Sequence, residues 1–296
     1  ARGARGGAAW FARLKLRCID EEDGESMGFG TFVRNYDRKC RPVVLRGLAK
    51  STLRGGDRAW DLEGLSSKFA DRRVTVMIAG AKLGYTHAGM GFDDYVRYMD
   101  THRDPDPLYL FEHDLPEDLL TRVSTPQLFG EDYLETILSN ESKAKGLRYC
   151  AVTERQWLVI GPAGAGSRFH VDPHSTSAWN ALASGLKLWV FYRSAEPPVT
   201  PPGVDVMSEE KDVFGHPLLY ASPSASEWFW KYLWPKLQNG GGGNSSSSSR
   251  SSSSDQKQQQ HRPHEQMDSH EGTERLEWAI QRHGDVVFVP HGWWHC

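Results

Sequence analysis

The chain has 296 residues, with 35 lysines and arginines against 38 aspartates and glutamates, for a formal net charge of −3 at pH 7. This length and an apolar share of 39% suffice for a large hydrophobic core, so the composition excludes an intrinsically disordered chain. Because basic residues are not in excess, no strong nucleic-acid footprint is expected.

The cysteines and the hydropathy pattern exclude further classes. The four cysteines lie far apart without a CxxC pair, which argues against a zinc ribbon and against a disulfide scaffold. No apolar run approaches the roughly 20 residues that a membrane helix needs, so no membrane partner is expected. A reducing compartment, nuclear or cytoplasmic, is the expected location.

The first half of the chain predicts mixed helices and strands. Residues 1–10 are small and basic and predict a linker or tail. Residues 30–47 predict a short helix that leads into a strand, which ends before Gly47. The helical spacing of Phe92, Tyr95, Val96 and Met99 predicts a helix over 92–100, followed by a strand over 108–111.

The second half predicts short strands. The apolar runs 157–160, 169–171, 186–192 and 285–289 are brief and bounded by Gly, Pro or Ser. This pattern is typical of a small barrel or sandwich.

Two segments of the second half are polar. Residues 238–272 are rich in Gly, Ser, Gln and His and predict a disordered insertion within a globular unit. The acidic stretch 205–212 could receive a basic peptide, but a solvated loop is the favoured interpretation.

The motif His170-Val171-Asp172 carries the chemistry. On an extended strand, residues two apart point the same way, so an imidazole and a carboxylate face the same side. A third ligand is expected from the run 284–295, which ends in His295. Two histidines and one carboxylate leave open the coordination positions that non-haem Fe(II) uses for a co-substrate and dioxygen.

Lys187 follows this motif on the predicted strand 186–192. It shares one face of that strand with Trp189 and Phe191, while Leu188 and Val190 take the other. Either Lys187 extends its ammonium to water, or it is buried and binds an anion such as a dicarboxylate.

Three motifs resemble the Jumonji-C (JmjC) oxygenases, and most closely their phosphatidylserine-receptor-type subfamily of arginine demethylases and lysyl-hydroxylases. The motifs are the segments 107–111, 156–189 and 284–295, in the family's order. The resemblance implies a mainly β fold with α-helices: a double-stranded β-helix core of jelly-roll, cupin-like type, with N-terminal helices and strands packed outside. It also favours the nucleus as the location.

The resemblance further implies a domain division. Residues 11–146 would form an N-terminal α/β region that packs on the core. Residues 147–296 would form the JmjC domain, which we expect to be C-terminally truncated because the family continues beyond the position of Cys296.

The same resemblance implies the site. His170, Asp172 and His295 match the iron ligands and thus the catalytic centre, and Lys187 and Tyr109 match the residues that bind the distal carboxylate of 2-oxoglutarate. Further residues fall where the family lines its co-substrate pocket, namely Asn180, Ser167 and Trp157. A related sequence of the same subfamily has threonine at the position of Ser167. Compared with that threonine, Ser167 keeps the hydroxyl and lacks the methyl group.

The implied cofactor is Fe(II), with 2-oxoglutarate and O2 as co-substrates. The implied partners are protein substrates that present lysine or N-methylarginine side chains, whereas the oligomeric state is not indicated. Two alternatives stay open: the same chemistry on a small molecule or nucleic-acid base, and a catalytically silent cupin-like binding module.

Overall fold

The computed structural model describes residues 17–78, 86–131, 156–173, 176–193, 199–211, 215–235 and 275–296. The predicted tail 1–10 and the predicted insertion 238–272 lie outside these ranges. Within them, no helix is both long enough and apolar enough to cross a membrane.

The described part contains mixed sheets with short helices and is mainly β with α. In chain order the strands are β1 Arg17–Cys18, β2 Asp20–Asp23, β3 Val43–Arg46, β4 Arg73–Ile78, β5 Thr86–Gly91, β6 Tyr109–Glu112, β7 Leu158–Ile160, β8 Ala178–Ala181, β9 Leu186–Tyr192, β10 Asp205–Val206, β11 Tyr220–Ala221, β12 Leu276–Arg282, β13 Val286–Val289 and β14 Trp294–His295.

The helices are short and lie mostly in the first half of the chain. They are α1 Phe29–Phe32, α2 Ala49–Thr52, α3 Asp57–Trp60, α4 Leu62–Phe69, α5 Phe92–Thr101, α6 Glu117–Leu120 and α7 Ala225–Trp228. A π-helical turn continues α1 over Val33–Asp37 and another continues α7 over Phe229–Leu233.

Two four-stranded sheets form the core. The first has the order β1-β12-β9-β14 and the second the order β2-β3-β13-β8. Their facing sides meet in one buried cluster, to which β9 contributes Trp189 and Phe191 and β13 contributes Val287 and Val289. The chain enters this core at Ile19, which lies between β1 and β2 and is buried in the same cluster.

Side-chain alternation along β9 decides which groups face this interior. Trp189 and Phe191 pack between the sheets, whereas Val190 and Tyr192 pack on the outer cluster with Trp228 from α7. The predicted alternation of this strand is therefore confirmed, and its predicted bounds, 186–192, are those of β9.

A third sheet packs with the helices of the first half. Its order is β5-β4-β6-β7, and α4 and α5 cover it through a cluster that includes Phe69, Phe92 and Tyr95. The Tyr95 hydroxyl donates to the Ile160 carbonyl at 2.7 Å, which ties α5 to β7. The helix predicted over 92–100 is confirmed as α5.

One prediction from the sequence was wrong, and a second was only partly right. The run 169–171 is not a strand: only His170 pairs, in an isolated bridge with His295. Pro173 has no backbone N–H, which limits continued pairing. The acidic stretch 205–211 is almost wholly exposed, as predicted, but its first two residues form β10 and pair antiparallel with β11; position 212 lies outside the described residues.

The Phe191→Ala variant tests the packing between the two core sheets. Its side chain is fully buried between the two sheets, so Phe191→Ala should lower the free energy of unfolding by about 3–5 kcal/mol. Leu186→Ala is the matched control, because Leu186 lies on the same strand with 57% of its surface exposed and should cost less than about 0.5 kcal/mol. Urea unfolding measures both, and equal losses would contradict the packing described.

Candidate metal centre

His170 and His295 are brought side by side by the backbone. The N–H of His170 donates to the carbonyl of His295 at 3.1 Å, and the N–H of His295 donates back at 2.9 Å. In such an antiparallel pair the two side chains lie on the same face. The ring centroids are accordingly 4.2 Å apart.

Asp172 completes a group of three possible ligands. Its Oδ1 lies 3.7 Å from Nε2 of His170 and 3.9 Å from Nε2 of His295. One donor atom from each residue lies within 4.8 Å of the others. Ligands bound at about 2.0–2.2 Å to one ion are about 3–4 Å apart, so small shifts would seat an ion among them.

Backbone carbonyls hold both imidazoles in one tautomer. Nδ1 of His170 lies 2.8 Å from the Arg168 carbonyl, and Nδ1 of His295 lies 3.1 Å from the Trp293 carbonyl. A carbonyl can only accept, so each Nδ1 carries the proton and each Nε2 presents a lone pair towards Asp172.

Burial keeps His295 neutral. Removal from water, with a smaller contribution from His170, lowers the pKa of His295 to about 4. A neutral imidazole is the form that binds a metal ion.

Two buried oxygen atoms point to a ligand. Asp172 Oδ2 and Asn180 Oδ1 are buried without a hydrogen-bond partner from the protein. Such atoms are costly unless an ion, a water or a ligand satisfies them. Asn180 pairs with Val287 in the strand register, which places both residues on the interior side of their strands.

Lys187 adds a cation to this interior. Its ammonium lies 4.3 Å from the centre of the Trp189 ring. Loss of hydration lowers the pKa of Lys187 to about 8, and its charge also contributes to lowering the pKa of His295. An ammonium group that has lost water in this way favours an anionic partner.

No protein-family model matches the chain. The chain is 31% identical over 294 residues to the lysine-specific demethylase JMJ21 of Arabidopsis thaliana. The aligned region covers 95% of this chain and 25% of that protein. It is 30% identical over 295 residues to the arginine-specific demethylase JMJ22 of the same plant, covering 97% and 44%. It is 26% identical over 290 residues to the bifunctional arginine demethylase and lysyl-hydroxylase psr-1 of Caenorhabditis elegans, covering 94% and 57%.

The chain is a homologue of the JmjC-type demethylases. The family predicted from the motifs is thereby confirmed. A further relative, the 2-oxoglutarate and iron-dependent oxygenase JMJD4 of Mus musculus, is 24% identical over 261 residues, covering 81% of this chain and 48% of that protein. The chain thus spans between a quarter and a little over half the length of these relatives.

The remaining predicted pocket residues of this JmjC homologue, Tyr109, Ser167 and Trp157, differ in burial. Tyr109 is buried on β6, and its ring approaches Gly161 so closely that a side chain there would collide with it. Tyr109 also lines a small cavity with Arg168, two residues before His170. Ser167 is half-buried beside Arg168. Their shared contact with a co-substrate stays a prediction.

Trp157 is more exposed than Tyr109 and Ser167. It keeps 40% of its surface exposed and packs on Phe111, with ring centres 4.5 Å apart, and on His113. Phe111 in turn lies 6.4 Å from Tyr109, so Trp157 ends an aromatic row that begins at Tyr109. A contact of Trp157 with a co-substrate also stays a prediction.

Gln281 is a site residue that the sequence reasoning missed. It is fully buried and pairs with Lys187 in the strand register. Its Oε1 accepts from the Trp189 indole at 2.8 Å, and its Nε2 donates to the carbonyls of Asn180 and Asp285. It therefore joins the two sheets where Lys187 and Asn180 face inward. A polar residue at the inward position after Ala279 was the available signal.

Tyr220 is a second missed residue. Its ring lies 4.7 Å from that of Trp294, beside His295. Burial, with a smaller contribution from the Asp172 carboxylate, raises the pKa of Tyr220 to about 12. The hydroxyl is thus protonated and lies close enough to Asp172 for that carboxylate to affect its pKa.

Asp172→Ala tests the ligand group. It should abolish tight binding of Co(II) used as a spectroscopic substitute for Fe(II), because one of three protein ligands is lost. The melting temperature of the metal-free protein should stay equal or rise, because the variant removes a buried oxygen without a partner. Asp57→Ala, at an exposed carboxylate, should bind Co(II) like the unaltered chain. Unchanged Co(II) binding by Asp172→Ala would refute the assignment.

Proposed function

We propose that this chain is the catalytic region of an Fe(II)- and 2-oxoglutarate-dependent protein oxygenase that hydroxylates lysyl side chains, demethylates N-methylarginine, or both. The observation that carries the proposal is the group His170, Asp172 and His295, whose donor atoms lie within 4.8 Å of one another. Two histidines and one carboxylate with open positions are the ligand set of non-haem Fe(II) oxygenases.

The architecture supports the proposal. Two four-stranded sheets pack face to face, and the three ligands lie at their β14 end, where His170 pairs with His295. This arrangement fits a double-stranded β-helix of the cupin type, and we propose that the core has this fold.

The charged interior supports 2-oxoglutarate as the co-substrate. We propose that the Lys187 ammonium binds its distal carboxylate and that Asn180 contributes from β8, with Tyr109 and Ser167 on the same pocket. When bound, Fe(II) with 2-oxoglutarate and O2 supplies the oxidation of a C–H bond coupled to formation of succinate and CO2.

The residues of the chain orient the ligands of the site and exclude water from it. Carbonyls of Arg168 and Trp293 hold the two imidazoles, and Gln281 holds Trp189 beneath the Lys187 ammonium. Trp189 and Phe191 are buried and keep water from the interior. A fixed, dry site lets a charged group act on its partner more strongly than in water.

The relatives support protein side chains as substrates. JMJ22 is by name an arginine-specific demethylase, and psr-1 is by name both an arginine demethylase and a lysyl-hydroxylase. Both outcomes need only insertion of oxygen into a C–H bond. On a side-chain carbon the product is a stable alcohol, whereas on an N-methyl group the product releases formaldehyde.

Turnover on peptides tests the proposed function. The chain loaded with Fe(II) should form succinate from 2-oxoglutarate, and candidate lysine or N-methylarginine peptides should change by about +16 or −14 mass units, for one oxygen gained or one methyl replaced by hydrogen. The Asp172→Ala variant should form no succinate. Absence of succinate with every peptide, from a chain shown to hold Fe(II), would refute the proposal.

Lys187→Met separates binding from stability. Loss of a charge-assisted hydrogen bond, worth about 1.5–3 kcal/mol, should weaken 2-oxoglutarate binding about ten- to a hundredfold. The substrate-free variant should be as stable as the unaltered chain or more stable, because it no longer buries an ammonium.

The pH dependence has a defined sign. The pKa of Lys187 is about 8 in the folded chain and 10.5 as the ordinary value, so the unfolded chain binds more protons between these values. The unaltered chain should therefore gain stability relative to Lys187→Met as the pH rises from about 8 to 10.5.

For the binding prediction, an unchanged half-saturation by 2-oxoglutarate in the Lys187→Met variant would refute the role of Lys187.

A further inference from the structure

A two-stranded ribbon extends from the metal centre with an exposed apolar surface. Beyond the pairing of β10 with β11, Met207 donates its N–H to the Leu219 carbonyl and Leu218 donates to Glu210. Four large apolar side chains on this ribbon are between 48% and 59% exposed, namely Val206, Met207, Leu218 and Leu219. Clustered apolar side chains in solvent typically mark an interaction surface.

The ribbon begins at the metal centre. Tyr220, on β11, packs on Trp294 beside His295 and lies close enough to Asp172 for that carboxylate to affect it. Leu219 and Leu218 directly precede Tyr220, so two exposed apolar side chains lie within two residues of the one that approaches Asp172. A substrate side chain that reaches the metal centre would bring its neighbouring residues onto this ribbon.

The charges of the ribbon select the partner. Asp205, Glu209 and Glu210 are exposed carboxylates, and Lys211 is the one basic residue of the strand segment 205–211. Val206, Met207 and Glu209 also line an open surface depression with Ser208 and Lys211. Acidic groups around an apolar surface favour a partner that combines cationic and apolar side chains.

We propose that the ribbon surface, defined by Val206, Met207, Leu218, Leu219, Glu209 and Glu210, docks the segment that flanks the target residue of a protein substrate, and that this segment is basic with interspersed apolar residues. The proposal rests on the proposed function, because it gives the same site its substrate class. It also fits the shape of the ribbon: within the described residues β10 and β11 pair only with each other, so their outer edges are open to an extended peptide.

A binding experiment tests the ribbon directly. The probe is a fluorescein-labelled peptide in which arginine alternates with leucine, and its counterpart carries glutamate in place of arginine. Fluorescence anisotropy is measured on the chain loaded with Fe(II) and 2-oxoglutarate without oxygen. The arginine peptide should bind, more weakly as salt rises, and the glutamate peptide should not, because screening weakens attraction between exposed charges.

Variants locate the binding. Glu209→Lys with Glu210→Lys should weaken binding of the arginine peptide by about tenfold, because each change replaces an attraction with a repulsion. Leu218→Ser with Leu219→Ser should weaken it to a similar extent through loss of apolar contact. The matched control is Glu63→Lys with Asp71→Lys, two exposed carboxylates at and after α4, which should bind like the unaltered chain.

Each outcome decides the proposal. Equal binding of both peptides, or unchanged binding in both ribbon variants, overturns it. A dimer in sedimentation that Leu218→Ser with Leu219→Ser dissociates, without an effect on peptide binding, also overturns it, because the surface then binds a second copy. Glu209→Gln with Glu210→Gln, which only removes charge, decides the case if the lysine variant fails to fold.

Succinate formation keeps this test separate from the proposed function. The ribbon variants should still form succinate from 2-oxoglutarate without peptide, at the rate of the unaltered chain. Asp172→Ala should lose succinate formation and keep peptide binding. A chain that binds the arginine peptide and forms no succinate contradicts the proposed function alone, whereas one that forms succinate without ribbon-dependent binding contradicts the docking surface alone.

Discussion

The reciprocal backbone pairing of His170 with His295 is the constraint on which the site depends. The two hydrogen bonds join chain positions 125 residues apart and set the two imidazoles on one face, with ring centres 4.2 Å apart. Asp172 follows two residues later and turns to the same side. Because β14 also pairs with β9, the same contact fixes the ligands relative to Lys187 and Trp189. Loss of this pairing would both separate the ligands and expose the space between the two sheets to solvent.

The interior of this core carries polar groups that a purely structural core would not contain. An ammonium that has lost water, and two buried oxygens without protein partners, all reduce the stability of the folded chain. Packing of Trp189, Phe191 and the valines of β13 offsets this cost. The buried amide of Gln281 adds no such cost, because both its oxygen and its nitrogen are hydrogen-bonded. Unsatisfied polar groups inside an otherwise well-packed core are expected where a ligand binds.

The ribbon of β10 and β11 shows why local composition predicted only a loop for the acidic stretch. Residues 205–211 are polar enough to resemble a solvated loop, yet Asp205 and Val206 form β10, and backbone pairing with 217–221 continues to Lys211 while the apolar side chains of the segment stay in solvent. Here long-range pairing overrode the local signal.

The sequence by itself determined the family, the alternation along β9, the helix α5, and the chemical nature of the three candidate ligands, because each of these depends on residue types at fixed short spacing. Only the tertiary structure decided that His170 and His295 are neighbours, that Asp172 Oδ2 and Asn180 Oδ1 lack partners, and that Gln281 joins the two sheets. The reason is physical: distances between residues remote in the chain are set by strand pairing and by packing between sheets. No spacing along the sequence encodes them.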